Sequence, residues 1–156
     1  MQNFVGYMAE TGAALYTFGE YFKYTHDTAW IRQIEPKILK SCAFLLRQRM
    51  LNKIDSLRGK GYGMIVGKVG DPENPYHSFM LNGYACAGLK KVAEMLEAVD
   101  SKESNRLQKE AAEWQNDIRE TFFNAMALAP IVPIGDGTWS PTAHHGRKRL
   151  DPDPCM

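Results

Sequence analysis

Cysteine is scarce in this chain, and its placement suggests neither a disulfide framework nor a metal site. Cys42, Cys86 and Cys155 are the three cysteines among the 156 residues. An odd number of cysteines, with no CxxC spacing and no neighbouring histidine cluster, argues against paired disulfides and against structural zinc. We therefore expect no metal, no other cofactor and a reducing compartment.

An excess of charge of one sign is also missing. The 19 basic and 18 acidic residues leave a formal net charge of +1. This balance removes the electrostatic basis for binding nucleic acid or an anionic membrane surface. Residues 1–30 lack the pattern of a signal peptide, and no apolar run approaches the ~20 residues of a membrane span. The chain as given is expected to be cytoplasmic, without nucleic-acid or membrane partners, although a longer parent protein could be exported.

Apolar residues recur at helical spacing in four segments of the chain. The predicted helices cover residues 3–24, 28–52, 78–99 and 103–127. Asp27 or Thr28 is placed to cap the second helix, Ser78 the third and Ser104 the fourth. Pro36 predicts a kink or a short first turn in the second helix.

Two short turns and two long loops connect these segments. Asp27 and Asp100 mark the short turns, whereas residues 53–77 contain five glycines and two prolines, which are typical of a long loop. Short turns make neighbouring helices antiparallel, so both long loops should lie at one end. The sequence predicts an all-α fold with a two-hairpin domain at 1–128 and an irregular tail at 129–156.

Two stretches of the sequence resemble a known family. GEYFKYTHD at residues 19–27, followed by Trp30, Ile34, Pro36 and Ile38, is similar to the unit EYYRxTGDxxWL…I.P.I of the six-hairpin glycosidases. GKVGDPENPY at 67–76 and SFMLNGYA at 78–85 resemble the next loop and inner helix of that group. The group includes glucoamylase-like, trehalase-like and rhamnosidase-like enzymes, whose six hairpins close into an (α/α)6 toroid.

The resemblance implies a glycoside hydrolase, or a fragment of one with two of the six hairpins. The first and third helices would then be inner helices, and the second and fourth would be outer helices. A fragment leaves two apolar flanks uncovered, so we expect a homo-oligomer. The expected anchors of that contact are Phe4, Phe44, Phe79 and Met80.

Glycoside hydrolysis requires one carboxyl group that protonates the leaving oxygen and a second that activates water or attacks the sugar. The loop end offers three candidates, Asp71, Glu73 and Asp136. The alternative interpretation is that Asp71 and Glu73 are solvated turn residues and that Asp136 belongs to an ordinary Gly-Asp-Gly turn.

A pyranose ring presents an apolar face that suits a flat aromatic side chain. The candidate substrate-binding residues at the loop end are Tyr62, Tyr76, His77, Asn82 and Trp139. Asn82 could instead anchor the loop above it, and core packing is the expectation for Tyr84, inside the third helix. His144 and His145 are adjacent and no HExxH occurs, so no metal site is predicted.

The second functional hypothesis is a non-catalytic helical scaffold. Such a protein would self-associate, or bind a partner, through the open edge of the incomplete toroid. Loss of activity in a folded Asp71 variant would favour the enzyme. Uniform inactivity together with a defined oligomer would favour the scaffold.

Overall fold

The computed structural model describes residues 8–68 and 75–142 and the backbone of residues 146–147. Its helices are α1 (Ala9–Thr25), α2 (Thr28–Met50), α3 (Phe79–Glu97) and α4 (Glu103–Ala127). The short strands are β1 (His77–Ser78), β2 (Ile131–Pro133), β3 (Trp139–Pro141) and β4 (Gly146–Arg147). Helices account for 67% of the structure, which confirms the all-α class. No helix in the described ranges is both long enough and apolar enough to cross a membrane.

Side-chain caps fix the start of two helices. The Asp27 carboxylate accepts a hydrogen bond from the Trp30 amide at 2.9 Å, and the Ser78 hydroxyl accepts from the Leu81 amide at 3.4 Å. Both caps match the sequence prediction. Ser104 behaves differently, because it lies inside the first turn of α4 and its buried hydroxyl donates to the Ala93 carbonyl at 2.9 Å. That bond joins α4 to α3 instead of capping α4.

Helices α1 and α3 lie side by side and run parallel. Gly12 faces Ala85 and Gly19 faces Lys91, so residue numbers increase in the same direction along both helices. The approach is very close, since a Cβ atom at Gly12 would lie 2.6 Å from the Ala85 backbone nitrogen. Glycine is therefore required at this crossing.

Helices α2 and α4 also run parallel to each other. Ser101, just before α4, donates to Glu35 of α2 at 2.6 Å, and Arg49 near the end of α2 bonds Asp117 of α4 at 2.6 Å. The two hairpins are thus stacked, with α1 and α3 in one row and α2 and α4 in the other. Inner and outer rows are defined only within a closed toroid, so that assignment and the toroid itself stay predictions.

The hydrophobic core is centred on α3, which packs between α1 and α4. Leu81, Leu89, Val92 and Leu96 of α3 are all fully buried there. Trp114 of α4 is also fully buried against this set. Burial of apolar surface contributes roughly 25 cal/mol per Å², so the α3 interface is a main source of stability.

Regular structure continues beyond α4, where the composition predicts an irregular tail. Strands β2 and β3 form an antiparallel hairpin in which Pro133 pairs with Trp139. Its turn contains Gly135 and Gly137 at φ 90° and 87°, values that glycine adopts without strain. Strand β4 pairs antiparallel with β1, so the chain returns to the entrance of α3.

Candidate functional site

The long loop between the hairpins is fixed to the helices by Asn82. Its Oδ1 atom accepts from the Ile65 amide at 2.7 Å and from the Trp114 indole at 3.1 Å. Its Nδ2 atom donates to the Ile65 carbonyl at 3.0 Å and to the Ser78 carbonyl at 2.8 Å. These four bonds use the full capacity of a buried amide side chain. Asn82 thus anchors the loop, which is one of the two roles that the sequence left open.

His77 supports the same loop from below. It is 2% exposed, and its Nδ1 atom lies 3.2 Å from the Met64 carbonyl oxygen. Gly61 passes directly over the ring at φ 115°, where a Cβ atom would lie 2.6 Å from His77 Cγ. His77 and Asn82 therefore position the loop, and a direct contact with substrate stays a prediction for both.

A groove of about 370 Å³ opens between α1 and α3, next to the loop end. We call it the tyrosine groove, and Tyr16, Met80, Gly83, Tyr84 and Ala87 line it. Tyr16 is 38% exposed and Tyr84 is 45% exposed, so both rings are available to a ligand. Apolar walls with two phenol groups combine stacking faces with hydrogen-bonding edges.

Helical periodicity predicts that Tyr84 lies in the core. In the structure Tyr84 instead lines the tyrosine groove. The residue lies one position away from the buried stripe that contains Leu81, Ala85 and Leu89. Tyr16 was missed for a similar reason, since its neighbour Leu15 occupies the buried position on α1. The available signal was that apolar residues on α3 extend beyond one stripe, to Met80 and Tyr84.

A salt bridge links α1 to α3 beside the tyrosine groove. Lys91 Nζ lies 2.9 Å from Glu20 Oε1 and 5.9 Å from the centre of the Tyr16 ring. The hydrogen bond to Glu20 raises the pKa of Lys91 above its usual range. Lys91 Nζ also lies 3.4 Å from Glu94 Oε2, so the charge near this aromatic wall is a paired one.

The other predicted aromatic residues occupy different positions at the loop end. Tyr62 is half-buried, with the Arg58 guanidinium 4.2 Å from its ring centre. Tyr76 is half-buried, and its backbone carbonyl accepts from the Gly67 amide at 3.2 Å. Trp139 is 66% exposed on β3. No described contact brings these three residues together with the tyrosine groove.

Of the three acidic candidates, only Asp136 lies within the described residues. Asp71 and Glu73 lie outside the described residues. Asp136 is exposed in the β2–β3 turn and accepts hydrogen bonds from the Thr138 hydroxyl at 2.6 Å and amide at 2.9 Å. These bonds lower the pKa of Asp136, so the carboxylate is ionised at neutral pH. This geometry matches the alternative in which Asp136 forms a turn.

An ion pair between a buried arginine and a partly buried aspartate joins α2 to α4. Arg49 is fully buried, and its Nη2 atom lies 2.6 Å from Asp117 Oδ2. The Arg49 guanidinium also lies 5.6 Å from the centre of the Trp114 ring. Burial raises the pKa of Asp117, and the charges of Arg49 and Lys53 oppose that rise. The pair is a structural connection, because its cation is closed off from solvent.

The described residues contain no group of three or more histidine, cysteine, aspartate or glutamate side chains that could hold a metal ion. No family model, curated protein or solved structure matches the chain.

Proposed function

We propose that the chain is a glycoside hydrolase, or a fragment of one, that holds an oligosaccharide in the tyrosine groove. The observation that carries this proposal is the pair of exposed rings, Tyr16 and Tyr84, on the walls of a groove of about 370 Å³. A sugar ring can stack on such a wall through its apolar face and still bond through its hydroxyl edge. The groove begins at Met80, in the first turn of α3, and therefore adjoins the loop end.

Catalysis is assigned to carboxyl groups of the loop that precedes α3. Asp71 and Glu73 are the proposed acid and base or nucleophile, and Asp136 is the third candidate. The resemblance to the six-hairpin glycosidases supports this assignment, and so does the stacked arrangement of the hairpins. Asn82 and His77 act in this proposal by fixing the loop that carries the acids.

A panel of chromogenic glycosides tests the chemistry on the purified chain. Asp71→Asn and Glu73→Gln should each lower the rate by about 100-fold or more, because each removes an acid–base or nucleophilic group. Glu97→Gln is the matched control, since Glu97 is exposed at the opposite end of α3. Equal rates in all three variants would contradict the assignment.

Calorimetric titration with oligosaccharides tests the groove separately from catalysis. Tyr84→Ala should weaken binding about tenfold, the loss expected for one stacking contact. Tyr24→Ala is the control, because Tyr24 is 84% exposed near the far end of α1. If both variants bind equally well, the sugar does not lie in the tyrosine groove.

The second candidate function is the non-catalytic helical scaffold. The observation that favours it is an uncovered apolar groove where α3 meets α4, which adjoins the tyrosine groove at Gly83 and Ala87. Absence of glycoside turnover in the unsubstituted chain, together with a defined complex or oligomer, would favour the scaffold.

A further inference from the structure

A second groove, of about 390 Å³, runs between α3 and α4. We call it the α3–α4 groove. Its apolar lining includes Gly83 and Ala87 from α3 and Ala111, Ala112 and Ile118 from α4. Small residues on both sides keep the floor open, and no described segment of the chain covers it.

The shape of the α3–α4 groove fits a helix. Its α4 lining extends from Gln108 to Arg119, which corresponds to about 16 Å at ~1.5 Å per residue. This length matches roughly three helical turns. Amphipathic helices insert anchors at i, i+3, i+4 and i+7 into apolar grooves of this kind.

The charged side chains of the α3–α4 groove indicate which kind of partner it would bind. Lys90 of α3 and Arg119 of α4 line it and are exposed, and the remaining polar side chains of the lining, Gln108 and Gln115, are neutral. Within residues 8–68 and 75–142, neither Lys90 nor Arg119 takes part in a salt bridge. The groove therefore combines an apolar floor with cations that lack a counter-charge in the described structure.

We propose that the α3–α4 groove binds an amphipathic helix of a partner protein, with carboxylates flanking its apolar stripe. The carboxylates would pair with Lys90 and Arg119, which sets the position and direction of the helix. A second copy of the chain is a poorer occupant, because a two-fold contact would place Lys90 and Arg119 of the two copies close together. This proposal rests on the scaffold candidate and is independent of glycoside hydrolysis.

A pair of synthetic helical peptides tests the proposal on the full chain by fluorescence anisotropy. The first has about 14 residues, with leucine and alanine on one face and glutamate on both flanks. The second carries lysine in place of every glutamate. The glutamate peptide should bind at least about tenfold more tightly, and added salt should weaken it. Equal affinities for the two peptides would overturn the proposal.

Substitutions then locate the binding surface. Ala112 is exposed, so Ala112→Trp fills the groove without disturbing the core and should weaken the glutamate peptide about tenfold or more. Ala43→Trp places the same side chain on an exposed position of α2 and should leave binding unchanged. An equal effect of both substitutions would place the peptide elsewhere and overturn the proposal.

Charge reversal provides a test that a simple loss of folding cannot imitate. Lys90→Glu combined with Arg119→Glu should reverse the preference, so that the lysine peptide binds more tightly. Lys40→Glu with Arg47→Glu, both exposed on α2, is the control and should keep the original preference. Light scattering measures whether the chain self-associates. Self-association that Ala112→Trp abolishes and Ala43→Trp does not would identify a second copy as the occupant, and this result would overturn the proposal.

Discussion

Asn82→Leu is predicted to be strongly destabilising. Leucine has a similar volume but removes all four buried hydrogen bonds of the side chain. The Ile65 amide and carbonyl and the Trp114 indole would lose a buried partner, at about 1–3 kcal/mol each. Allowing for relaxation, we expect the free energy of unfolding to fall by about 3–5 kcal/mol, out of a typical total of 5–15 kcal/mol.

Urea denaturation followed by far-ultraviolet circular dichroism measures this loss. Asn116→Leu is the matched control, because Asn116 is exposed on α4, and it should change the free energy by less than about 0.5 kcal/mol. Faster hydrogen exchange at the Ile65 amide should accompany the loss in the Asn82 variant. A fall of less than about 1 kcal/mol would refute the view that Asn82 anchors the loop.

Three further outcomes are expected. Gly12→Ala should destabilise the fold by about 1–3 kcal/mol because its Cβ would meet backbone at 2.6 Å, whereas Gly83→Ala, with nothing within 4 Å, should be neutral or stabilising in thermal melts. Arg49→Leu should cost about 1–3 kcal/mol in urea titrations, since it removes the partner of the partly buried Asp117 carboxylate. A smaller loss after Asp117→Asn is added would confirm coupling. Burial raises the pKa of Cys42 to about 12, so its thiolate is scarce at pH 8. Disulfide reagents should therefore modify Cys42 in urea but hardly at all in the native protein.

The helices could be predicted because each buries a stripe that recurs every three or four residues. Asp27 and Ser78 then marked two of the helix starts through their own hydrogen bonds to the backbone. Ser104 shows where this reasoning ends, since this serine is the second residue of α4 and its hydroxyl bonds α3 instead of capping its own helix. The local pattern of apolar residues determines where a helix forms. The residues that pack against that helix in the folded chain determine which atoms its polar side chains bond to.

The candidate site was less predictable for the same reason. Periodicity tells which residues share a face of α3, but not which faces α1 and α4 cover, so Tyr84 was assigned to the core. The β2–β3 hairpin did have a local signal, because Gly135-Asp136-Gly137 separates two β-prone runs. The proline and glycine content of the tail obscured that signal.

The close parallel packing of α1 against α3 has a consequence for how the chain folds. Gly12 and Ala85 are separated by more than 70 residues, whereas α3 and α4 are joined by a short turn. Loop closure over such a distance is entropically costly, and local contacts form faster. We therefore expect the α3–α4 hairpin to form early and α1 to dock onto it afterwards, which completes the two-layer stack.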